Sequence, residues 1–206
     1  MKRKLWKITI ILLLLSLFIF INMKNYASAV SYELKENIFR LHIIANSNSV
    51  EDQTLKLKVR DKLIDYMNNL KTNSKEETIK TISSNIDEIE KLAKETIHEN
   101  NFNYDVSIEI GEFYFPTKYY GNISLPAGIY DAIRIKIGKA EGENWWCSLF
   151  PPLCFTDISN GIIDEETQKN LENNLKNEEF LLITSSSSKI KFKFKLIELL
   201  NQKKIL

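Results

Sequence analysis

Residues 37–45 read NIFRLHIIA, a short run that is mostly apolar and rich in β-branched side chains. A run of this length and composition is typical of a strand buried in a sheet. Strict alternation places three apolar side chains on one face: Phe39, Leu41 and Ile43. The other face carries Arg40, His42 and Ile44. The sequence therefore predicts a buried strand that is apolar on one face and mixed on the other.

Two amphipathic helices are predicted to follow this strand. Ser49 and Asp52 form a capping-box pattern that begins the first helix after a turn at residues 46–48. Its apolar residues recur every three or four positions: Leu55, Val59, Leu63, Tyr66, Met67 and Leu70. A second helix over residues 75–99 repeats the pattern with Ile79, Ile82, Ile86, Ile89, Ala93 and Ile97. The short polar turn between them predicts an antiparallel pair lying on a sheet.

Two further strands and a connection between them are predicted next. Alternating apolar residues predict a half-buried strand from Val106 to Pro116 and another over residues 129–138. Prolines and glycines punctuate the connection, whose Tyr119 and Tyr120 we expect to contact the tryptophans further along the chain. Three C-terminal segments are predicted as an exposed helix, a serine-rich loop and another helix: residues 165–178, 185–188 and from about 191.

The N-terminus, residues 1–29, has the pattern of an export signal. Basic residues precede an apolar run over residues 8–21, which is shorter than the roughly 20 residues of a bilayer span. A polar stretch leads to an A-x-A site at residues 27–29, where cleavage would leave Val30 as the new N-terminus. The alternative is an uncleaved membrane anchor. Both interpretations place residues 30–206 outside the cytoplasm.

Residues 30–206 are predicted to form a single α+β domain, a small sheet covered on one face by the two long helices. No repeat or long linker divides them. Residues 1–29 carry five of the 28 basic residues and none of the 27 acidic ones, so the remaining net charge is −4. This charge argues against nucleic acid or an anionic membrane surface as a partner, and membrane contact is expected only through an uncleaved N-terminus.

One stretch of twelve residues concentrates the least common side chains of the chain. Residues 144–155, NWWCSLFPPLCF, contain both cysteines, two of the three tryptophans and two of the four prolines. Because the stretch follows a predicted strand and a polar turn, it is predicted as a long apolar loop leaving the edge of the sheet. Such a loop is either a lid over the core or a surface for a partner.

The two cysteines, Cys147 and Cys154, favour a disulfide because the chain is predicted to be exported. Pro151 and Pro152 lie between them and let the chain double back. Closing so small a loop stabilises a fold by roughly 2.5 kcal/mol in the chain-entropy description. The alternative is two buried free thiols that act as small apolar side chains.

Candidates for catalysis are few. The two histidines are His42 and His98, and His98 is interpreted as a surface residue near the end of a helix. His42 would serve as the general base for Cys147 in a nucleophilic enzyme, but Cys147 has a candidate disulfide partner and no evident cationic neighbour. Zinc-ligand spacing and glycine-rich phosphate loops are both lacking, so we predict no metal, no cofactor and no enzyme activity.

Arginine is rare in this chain, with 4 arginines against 24 lysines. Outside the N-terminal segment, one arginine lies in each main apolar element: Arg40, Arg60 and Arg134. The planar guanidinium suits paired hydrogen bonds to a carboxylate or to carbonyl groups. At least one of the three is predicted to form a partly buried ion pair, with Asp52, Asp61 or Asp131 as the partner. The alternative is three ordinary surface arginines.

Three stretches together carry a family resemblance. They are RLHIIANSNSVEDQTLKLKVRD at residues 40–61, FPTKYYGNISLPAGIYDAIRIKIG at 115–138 and ENWWCSLFPPLCF at 143–155. In this order they resemble the stage II sporulation protein R family of endospore-forming bacteria. The block with Trp-Trp-Cys and Pro-Pro-Leu-Cys is the most specific of the three.

What the resemblance implies is a signalling role. Members of the family are made in the forespore, cross its membrane and act in the intermembrane space. There they trigger a membrane-embedded aspartic protease, the sigma-E processing peptidase, which then cleaves pro-sigma-E. The implied partner of this chain is that peptidase, and the implied role is that of a protein ligand.

A protein ligand would bind through its aromatic block, because aromatic side chains dominate interface energetics. The candidate anchors are Trp145, Trp146, Phe150 and Leu153, in a loop stiffened by Pro151 and Pro152. Their alternative role is core packing. Two other functions remain open from the sequence: a cell-wall enzyme using Cys147 with His42, and a peptidoglycan-binding module whose aromatic rings stack on sugars.

Overall fold

Both helices and strands form this protein, whose computed structural model describes residues 2–154, 163 and 165–184. In these ranges the helices are α1 (Lys2–Glu36), α2 (Val50–Asn68), α3 (Lys75–Ser84), α4 (Ile86–Glu99), α5 (Glu165–Asn174) and α6 (Asn177–Thr184). The strands in the same ranges are β1 (Phe39–Ile44), β2 (Val106–Phe115), β3 (Lys118–Tyr120), β4 (Ile123–Leu125), β5 (Gly128–Ile137) and β6 (Asn144–Phe150). The fold is therefore α+β, as predicted.

Strand β1 lies inside a four-stranded sheet with the order β2-β5-β1-β6. It runs parallel to β5 and antiparallel to β6, and β5 pairs antiparallel with β2. In this register Leu41 lies opposite Ile133 on one side and Cys147 on the other. Five of the six residues of β1 are buried, which confirms the buried strand predicted from residues 37–45.

The face of the sheet that bears Leu41 is aliphatic and covered by helices. Four of its side chains are fully buried: Leu41, Ile43, Ile133 and Ile135. Helices α2 and α3 contact β1, and α4 contacts β2. On the same face Trp145 lies opposite Ile43, and Arg60 of α2 lies over its ring. Each fully buried aliphatic side chain contributes about 1.5–3 kcal/mol, so this layer is the main apolar core.

The opposite face of the sheet combines cationic and aromatic side chains. His42 of β1 lies opposite Arg134 of β5 and Trp146 of β6. A hairpin of β3 and β4, within the connection between β2 and β5, lies against this face. The Tyr120 hydroxyl accepts a hydrogen bond from Arg40 Nη2 (2.8 Å) and donates to the Trp146 carbonyl (3.0 Å). The predicted contact between this tyrosine and the tryptophan block is present.

Residues 144–150 are a strand, and the prediction of a long apolar loop there is wrong. They form β6 and pair antiparallel with β1. A buried central strand needs hydrogen-bond partners at both edges, because buried backbone N–H and C=O groups are almost always paired. The aromatic and apolar residues of the block also suit a strand. The chain turns after Phe150, at Pro151 and Pro152.

The helix predicted over residues 75–99 is interrupted at Asn85, which ends α3 and begins α4. Its side chain donates to the Thr81 carbonyl (2.8 Å) and accepts from the Tyr66 hydroxyl (2.9 Å). Asparagine competes with helical backbone hydrogen bonds in this way. The helix predicted over residues 165–178 ends earlier, at Asn174, and a separate helix begins at Asn177 and continues to Thr184. Apolar spacing alone did not reveal either break.

Helix α1 includes the predicted signal segment and its A-x-A site. Within the described ranges, no helix combines the length and the apolar content needed to cross a membrane. The end of α1 contacts the rest of the fold: Leu34 is fully buried, and Glu33 pairs with Lys176 at 3.0 Å. Signal cleavage and the domain boundary at residue 30 stay predictions. The predicted serine-rich loop and C-terminal helix lie outside the described residues.

A polar cluster fixes the segment between β1 and α2. Asp52 Oδ2 accepts hydrogen bonds from Asn46 Nδ2 (2.8 Å) and Ser47 Oγ (2.6 Å). The Asp52 backbone N–H donates to Ser49 Oγ, so Ser49 is the N-cap that the sequence indicates. Asn46 Oδ1 accepts from the backbone N–H of Lys139 (2.9 Å). The cluster thereby joins the start of α2 to the turn after β5.

Stability is expected to depend on the charge of Asp52. Burial raises its pKa, but hydrogen bonds from Ser47, Asn46 and Tyr104 outweigh burial and hold the pKa below its ordinary value. A carboxyl with a depressed folded pKa contributes fully above its unfolded pKa of about 3.9, and the contribution is lost as the pH falls through the folded pKa. We expect Asp52→Asn to lower the free energy of unfolding at pH 7 by about 1–3 kcal/mol.

Urea unfolding of the wild type and Asp52→Asn, from pH 7 down through the acid range, measures this contribution. The wild type should lose more stability on acidification than the variant, because only the wild type can protonate a carboxyl at this position. The same acid dependence in both proteins would contradict the assignment of this charge to the folded state.

Candidate functional site

A cleft of about 560 Å³ runs along the outer edge of β6. Strand β6 ends the strand order, so in the part of the chain that the structure describes it pairs with β1 alone. Residues 144–147 of β6 line the cleft, whereas no residue of β1 does. The cleft therefore lies where the sheet presents an open edge, and we call it the β6 cleft.

Two elements form the walls of the β6 cleft. On the helix side, α2 contributes Arg60, Asp61, Ile64, Asp65 and Asn68. On the other side, β3 contributes Lys118, Tyr119 and Tyr120. Tyr119 is 53% exposed, so the β3 wall presents an accessible aromatic ring next to a lysine. The cleft thus combines aromatic side chains with charges of both signs.

A disulfide-closed turn ends the cleft. Cys147 and Cys154 form the disulfide that the sequence favours, with a Cα–Cα distance of 5.2 Å. The chain doubles back after β6, and the Leu153 backbone N–H donates to the Ser148 carbonyl (2.9 Å). The turn thereby occupies a backbone group at the outer edge of β6. It shields that end of the edge from pairing with another strand.

Trp145 and Trp146 point to opposite faces of the sheet, as neighbours in a strand must. The guanidinium carbon of Arg60 lies 5.1 Å from the centre of the Trp145 ring, on the helix side. Trp146 stacks on His42 on the other side, with ring centroids 3.6 Å apart. Both tryptophans are partly buried against the core. Each therefore supports the sheet and also presents part of its ring to the cleft.

His42 is buried beneath this aromatic layer, with Nε2 2.7 Å from Asn144 Oδ1. Burial lowers the pKa of His42 to about 4, and the nearby positive charges of Arg134, Arg40 and Lys136 act in the same direction. The imidazole is therefore neutral at pH 7. Its role in this geometry is to pack against Trp146 and to hold Asn144 at the start of β6.

The structure does not bring Cys147 and His42 together as a nucleophile and its base. Cys147 lies opposite Leu41, whereas His42 lies opposite Trp146, so the two side chains are on opposite faces of the sheet. The Cys147 sulfur is also bound in the disulfide, whereas a nucleophile requires a free thiolate. An enzyme built on this pair is inconsistent with the geometry. Among the described residues, no three His, Cys, Asp or Glu side chains are grouped as metal ligands.

Arg40 is fully buried and has no ion pair with a described residue. Its Nε donates to the Cys147 carbonyl (3.1 Å) and its Nη2 to the Tyr120 hydroxyl, while Nη1 has no hydrogen-bond partner among the described residues. The guanidinium carbon lies 4.3 Å from the ring centre of Phe115 and 5.1 Å from that of Tyr130. Ring faces and two acceptors thus compensate a charge whose burial otherwise costs several kcal/mol.

Arg134 and Arg60 form ion pairs on either side of the sheet. Arg134 donates to Glu109 through Nε (2.9 Å) and Nη2. Hydrogen bonds from Lys136 and Arg134 lower the pKa of Glu109. Arg60 Nη2 lies 2.6 Å from Asp61 Oδ1, with the arginine side chain 24% exposed. The other two predicted acidic partners bind elsewhere: Asp52 to Asn46 and Ser47, and Asp131 to Lys75.

The predicted anchors are divided between two places. The β6 cleft contains Trp145, Trp146 and Leu153. Leu153 is only 2% exposed, so it belongs to the core more than to the surface. Phe150 and Pro152 line a second cleft, of about 390 Å³, beside the C-terminal end of α2. Pro151 is buried in the turn. Of the four predicted anchors, the two tryptophans are the ones that line the β6 cleft and are partly exposed.

Sequence reasoning missed Asp65 and Lys118 as members of the site. Asp61 and Asp65 are four residues apart, a spacing that places them on one face of α2. Only the sheet order reveals that this face borders β6. Lys118 lies in a connection for which the sequence analysis predicted no strand. The aromatic block was recognisable by composition, but its charged walls were not.

Comparison with known proteins confirms the family resemblance. Residues 35–160 match the model of the family described as stage II sporulation protein R. The chain is 40% identical over 164 residues to stage II sporulation protein R of Bacillus subtilis (strain 168). That match covers 77% of this chain and 72% of the relative. No solved structure matches the chain.

Replacing Arg40 by lysine tests the buried guanidinium. We expect Arg40→Lys to lower the free energy of unfolding by about 2–4 kcal/mol, because one ammonium cannot reproduce both hydrogen bonds and the ring contacts. Arg134→Lys is the matched control, since its ion pair is partly exposed and contributes about 1 kcal/mol or less. Urea unfolding followed by tryptophan fluorescence measures both. Equal, small losses in the two variants would refute the special role of Arg40.

Removing the disulfide tests the turn. We expect the double variant Cys147→Ala, Cys154→Ala to lose roughly 2.5 kcal/mol of unfolding free energy, because the unfolded chain gains the freedom of an open loop. Reducing agent should destabilise the wild type by a similar amount and leave the double variant unchanged. Thermal unfolding with and without reductant gives both comparisons. If the reducing agent leaves the thermal unfolding of the wild type unchanged, the result would argue against the disulfide.

Proposed function

Because this chain belongs to the stage II sporulation protein R family and so has a role in sporulation, we propose that it is a secreted signal between two cells. Its receptor is a membrane-embedded aspartic protease, the sigma-E processing peptidase. Binding activates this protease, which then cleaves pro-sigma-E. The family match over residues 35–160 carries the proposal, because that range contains the whole four-stranded sheet and the β6 cleft.

The proposed site of action is the intermembrane space. Residues 1–29 direct the chain across the forespore membrane, as a cleaved signal or as an anchor, and residues 30–206 act beyond it. The basic and apolar pattern of the N-terminus supports export. The bond between Cys147 and Cys154 supports it too, because disulfides persist in oxidising compartments and are rare in the cytosol.

The β6 cleft supports a protein as the partner. Interfaces between proteins are enriched in tryptophan, tyrosine and arginine, and a few such residues supply most of the binding energy. Trp145, Trp146, Tyr119 and Arg60 all line this cleft. Its surface therefore has the composition of a recognition site for a protein.

Activation requires differential affinity. A ligand shifts the protease towards its active or dimeric state only if it binds that state more tightly than the inactive one. Moving the population from 1:99 to 99:1 takes about a 10⁴-fold difference, or about 5.5 kcal/mol. Three aromatic anchors, at about 2 kcal/mol each, are sufficient if they make their contacts only in the active state.

The peptidoglycan-binding alternative uses the same aromatic residues in another way. A sugar ring stacks on an accessible aromatic face. One face of Trp146 is occupied by His42, and Arg60 lies over Trp145. Tyr119 is left as the exposed ring of the cleft, and one exposed ring offers only a small surface for stacking on sugars.

Co-expression tests the proposed signal. The full chain, the sigma-E processing peptidase and pro-sigma-E are produced together in a bacterium that does not sporulate, and processed sigma-E is measured by immunoblot. We expect processing to rise about tenfold or more when the full chain is present, as a large population shift demands. Deleting residues 2–22 should abolish the rise, and an unrelated cleavable export signal in their place should restore it.

Each outcome bears on one part of the proposal. No rise with the full chain would contradict direct activation. An undiminished rise after deletion of residues 2–22 would contradict action outside the cytoplasm. Retention of the chain on purified peptidoglycan, with no rise in processing, would favour the wall-binding module instead.

A further inference from the structure

We propose that the β6 cleft binds an extended segment of the partner, which adds to the sheet as a fifth strand beside β6. This inference rests on the proposed function, because the segment belongs to the extracytoplasmic part of the protease. The segment has a basic side chain directed to α2, an adjacent acidic side chain directed to β3, and apolar side chains beside this pair. Three features carry the proposal: the open backbone edge, the limited length of that edge, and the opposite charges of its two walls.

The backbone of β6 offers hydrogen bonds to an added strand. The Trp146 and Ser148 carbonyls face away from β1, since they accept from the Tyr120 hydroxyl (3.0 Å) and from the Leu153 N–H (2.9 Å). In an antiparallel strand, every second residue directs both of its backbone groups to the same edge. The N–H groups of Asn144 and Trp146 therefore face the cleft, whereas the Trp146 carbonyl already accepts from Tyr120 and would be shared with an added strand. Extended peptides bind exposed sheet edges by pairing with such groups.

The disulfide turn limits the length of the added strand. It covers the edge at Ser148, where Leu153 is already hydrogen-bonded. Residues 144–147 remain along the cleft. At about 3.3 Å per residue they present about 13 Å of edge, which matches a partner segment of four or five residues.

Charge determines which side chains the segment needs. On the α2 wall Asp61 is paired with Arg60, whereas Asp65 is exposed and has no ion pair with a described residue. On the β3 wall the charged residue is Lys118. Side chains of a strand alternate between the two faces, so one residue of the segment faces Asp65 and the next faces Lys118. A basic residue next to an acidic one is therefore the complementary pattern.

Aromatic rings flank both charges. Trp145 lies on the α2 side, with Arg60 over its ring, and Trp146 and Tyr119 lie on the β3 side. Apolar side chains of the segment would contact these rings and exclude water from the charged pairs. Water exclusion by surrounding contacts is what strengthens anchors at the centre of an interface.

A second copy of this chain is a poorer occupant. Two β6 strands that pair antiparallel in one continuous sheet are related by a two-fold axis perpendicular to the sheet. The α2 walls of both copies then lie on one side of the sheet, and both β3 walls lie on the other. Asp65 would then approach Asp65 of the second copy, and Lys118 would approach Lys118. Like charges at close range disfavour association, whereas a heterologous segment can complement both walls.

Photo-crosslinking locates the partner. In the full chain, co-expressed with the protease, p-benzoylphenylalanine replaces Tyr119 in one variant and Tyr114 in the matched control. Tyr114 is also exposed, but it lies on β2 at the opposite edge of the sheet. We expect a crosslink to the protease from position 119 and background from position 114. Mass spectrometry should map it to a short extracytoplasmic segment with adjacent basic and acidic residues.

Charge reversal tests the two walls separately. We expect Asp65→Lys and Lys118→Glu each to lower pro-sigma-E processing about tenfold, because like charges across an interface oppose binding. Glu95→Lys, at an exposed acidic position of α4 away from the cleft, is the matched control and should process normally. Reversing the basic residue of the crosslinked segment should restore processing by the Asp65→Lys variant. Circular dichroism verifies that all three variants are folded.

The outcomes separate this inference from the function on which it rests. If the wild type raises processing and both cleft variants keep that activity, strand addition at β6 is overturned while the signalling function stands. Crosslinks from position 119 to the same chain or to a second copy, or equal crosslinks from both positions, also overturn it. If the wild type itself does not raise processing, the proposed function fails.

Discussion

The rest of the structure depends on the position of β1 between two other strands with both of its faces covered. Such a strand must pair its backbone groups at both edges, because each buried N–H or C=O left unpaired costs about 1–3 kcal/mol. Strand β5 supplies the parallel partner and β6 the antiparallel one. This requirement explains why residues 144–150 form a strand of the sheet. The side of β6 that faces away from β1 is then the edge of the sheet. The cleft beside that edge is therefore a consequence of how the core is closed.

The two faces of the sheet stabilise the fold in different ways. The helix face is aliphatic and holds the layers together by burial, with Leu41 and Ile133 fully shielded. The other face buries the Arg40 charge between aromatic rings and uses its donors to join β1, β6 and the β3–β4 hairpin. The guanidinium donates to a carbonyl of β6 and to a hydroxyl of β3. Because hydrogen bonds are directional and aliphatic contacts are not, these bonds fix the position of the hairpin relative to the sheet. The hairpin that forms one wall of the cleft is thus positioned from beneath by Arg40.

Sequence patterns correctly predicted the elements that depend on neighbouring residues in the chain. The strand at residues 37–45 and the cap at Ser49 were correct, because periods of two and of 3.6 residues report which side is buried. The prediction failed at Asn85, where two side-chain hydrogen bonds interrupt a helix whose apolar spacing continues across the break. It failed at residues 144–150 because β6 carries apolar or aromatic side chains on both faces and so shows no regular polar alternation. The α2 wall was missed because Asp65 borders β6 only through the order of the sheet.

The three stretches that carry the family resemblance meet at the β6 cleft. Residues 40–61 supply β1 and part of the α2 wall, residues 115–138 supply the β3 wall and β5, and residues 143–155 supply β6 and the disulfide turn. The same stretches therefore form both the core and the cleft. A motif match identifies the family, but it does not distinguish residues that pack in the core from residues that can contact a partner. Exposure separates them: Leu153 is 2% exposed and supports the turn, whereas Tyr119 is 53% exposed and supports little. A partner can gain binding energy only from side chains of the second kind and from the open backbone beside them.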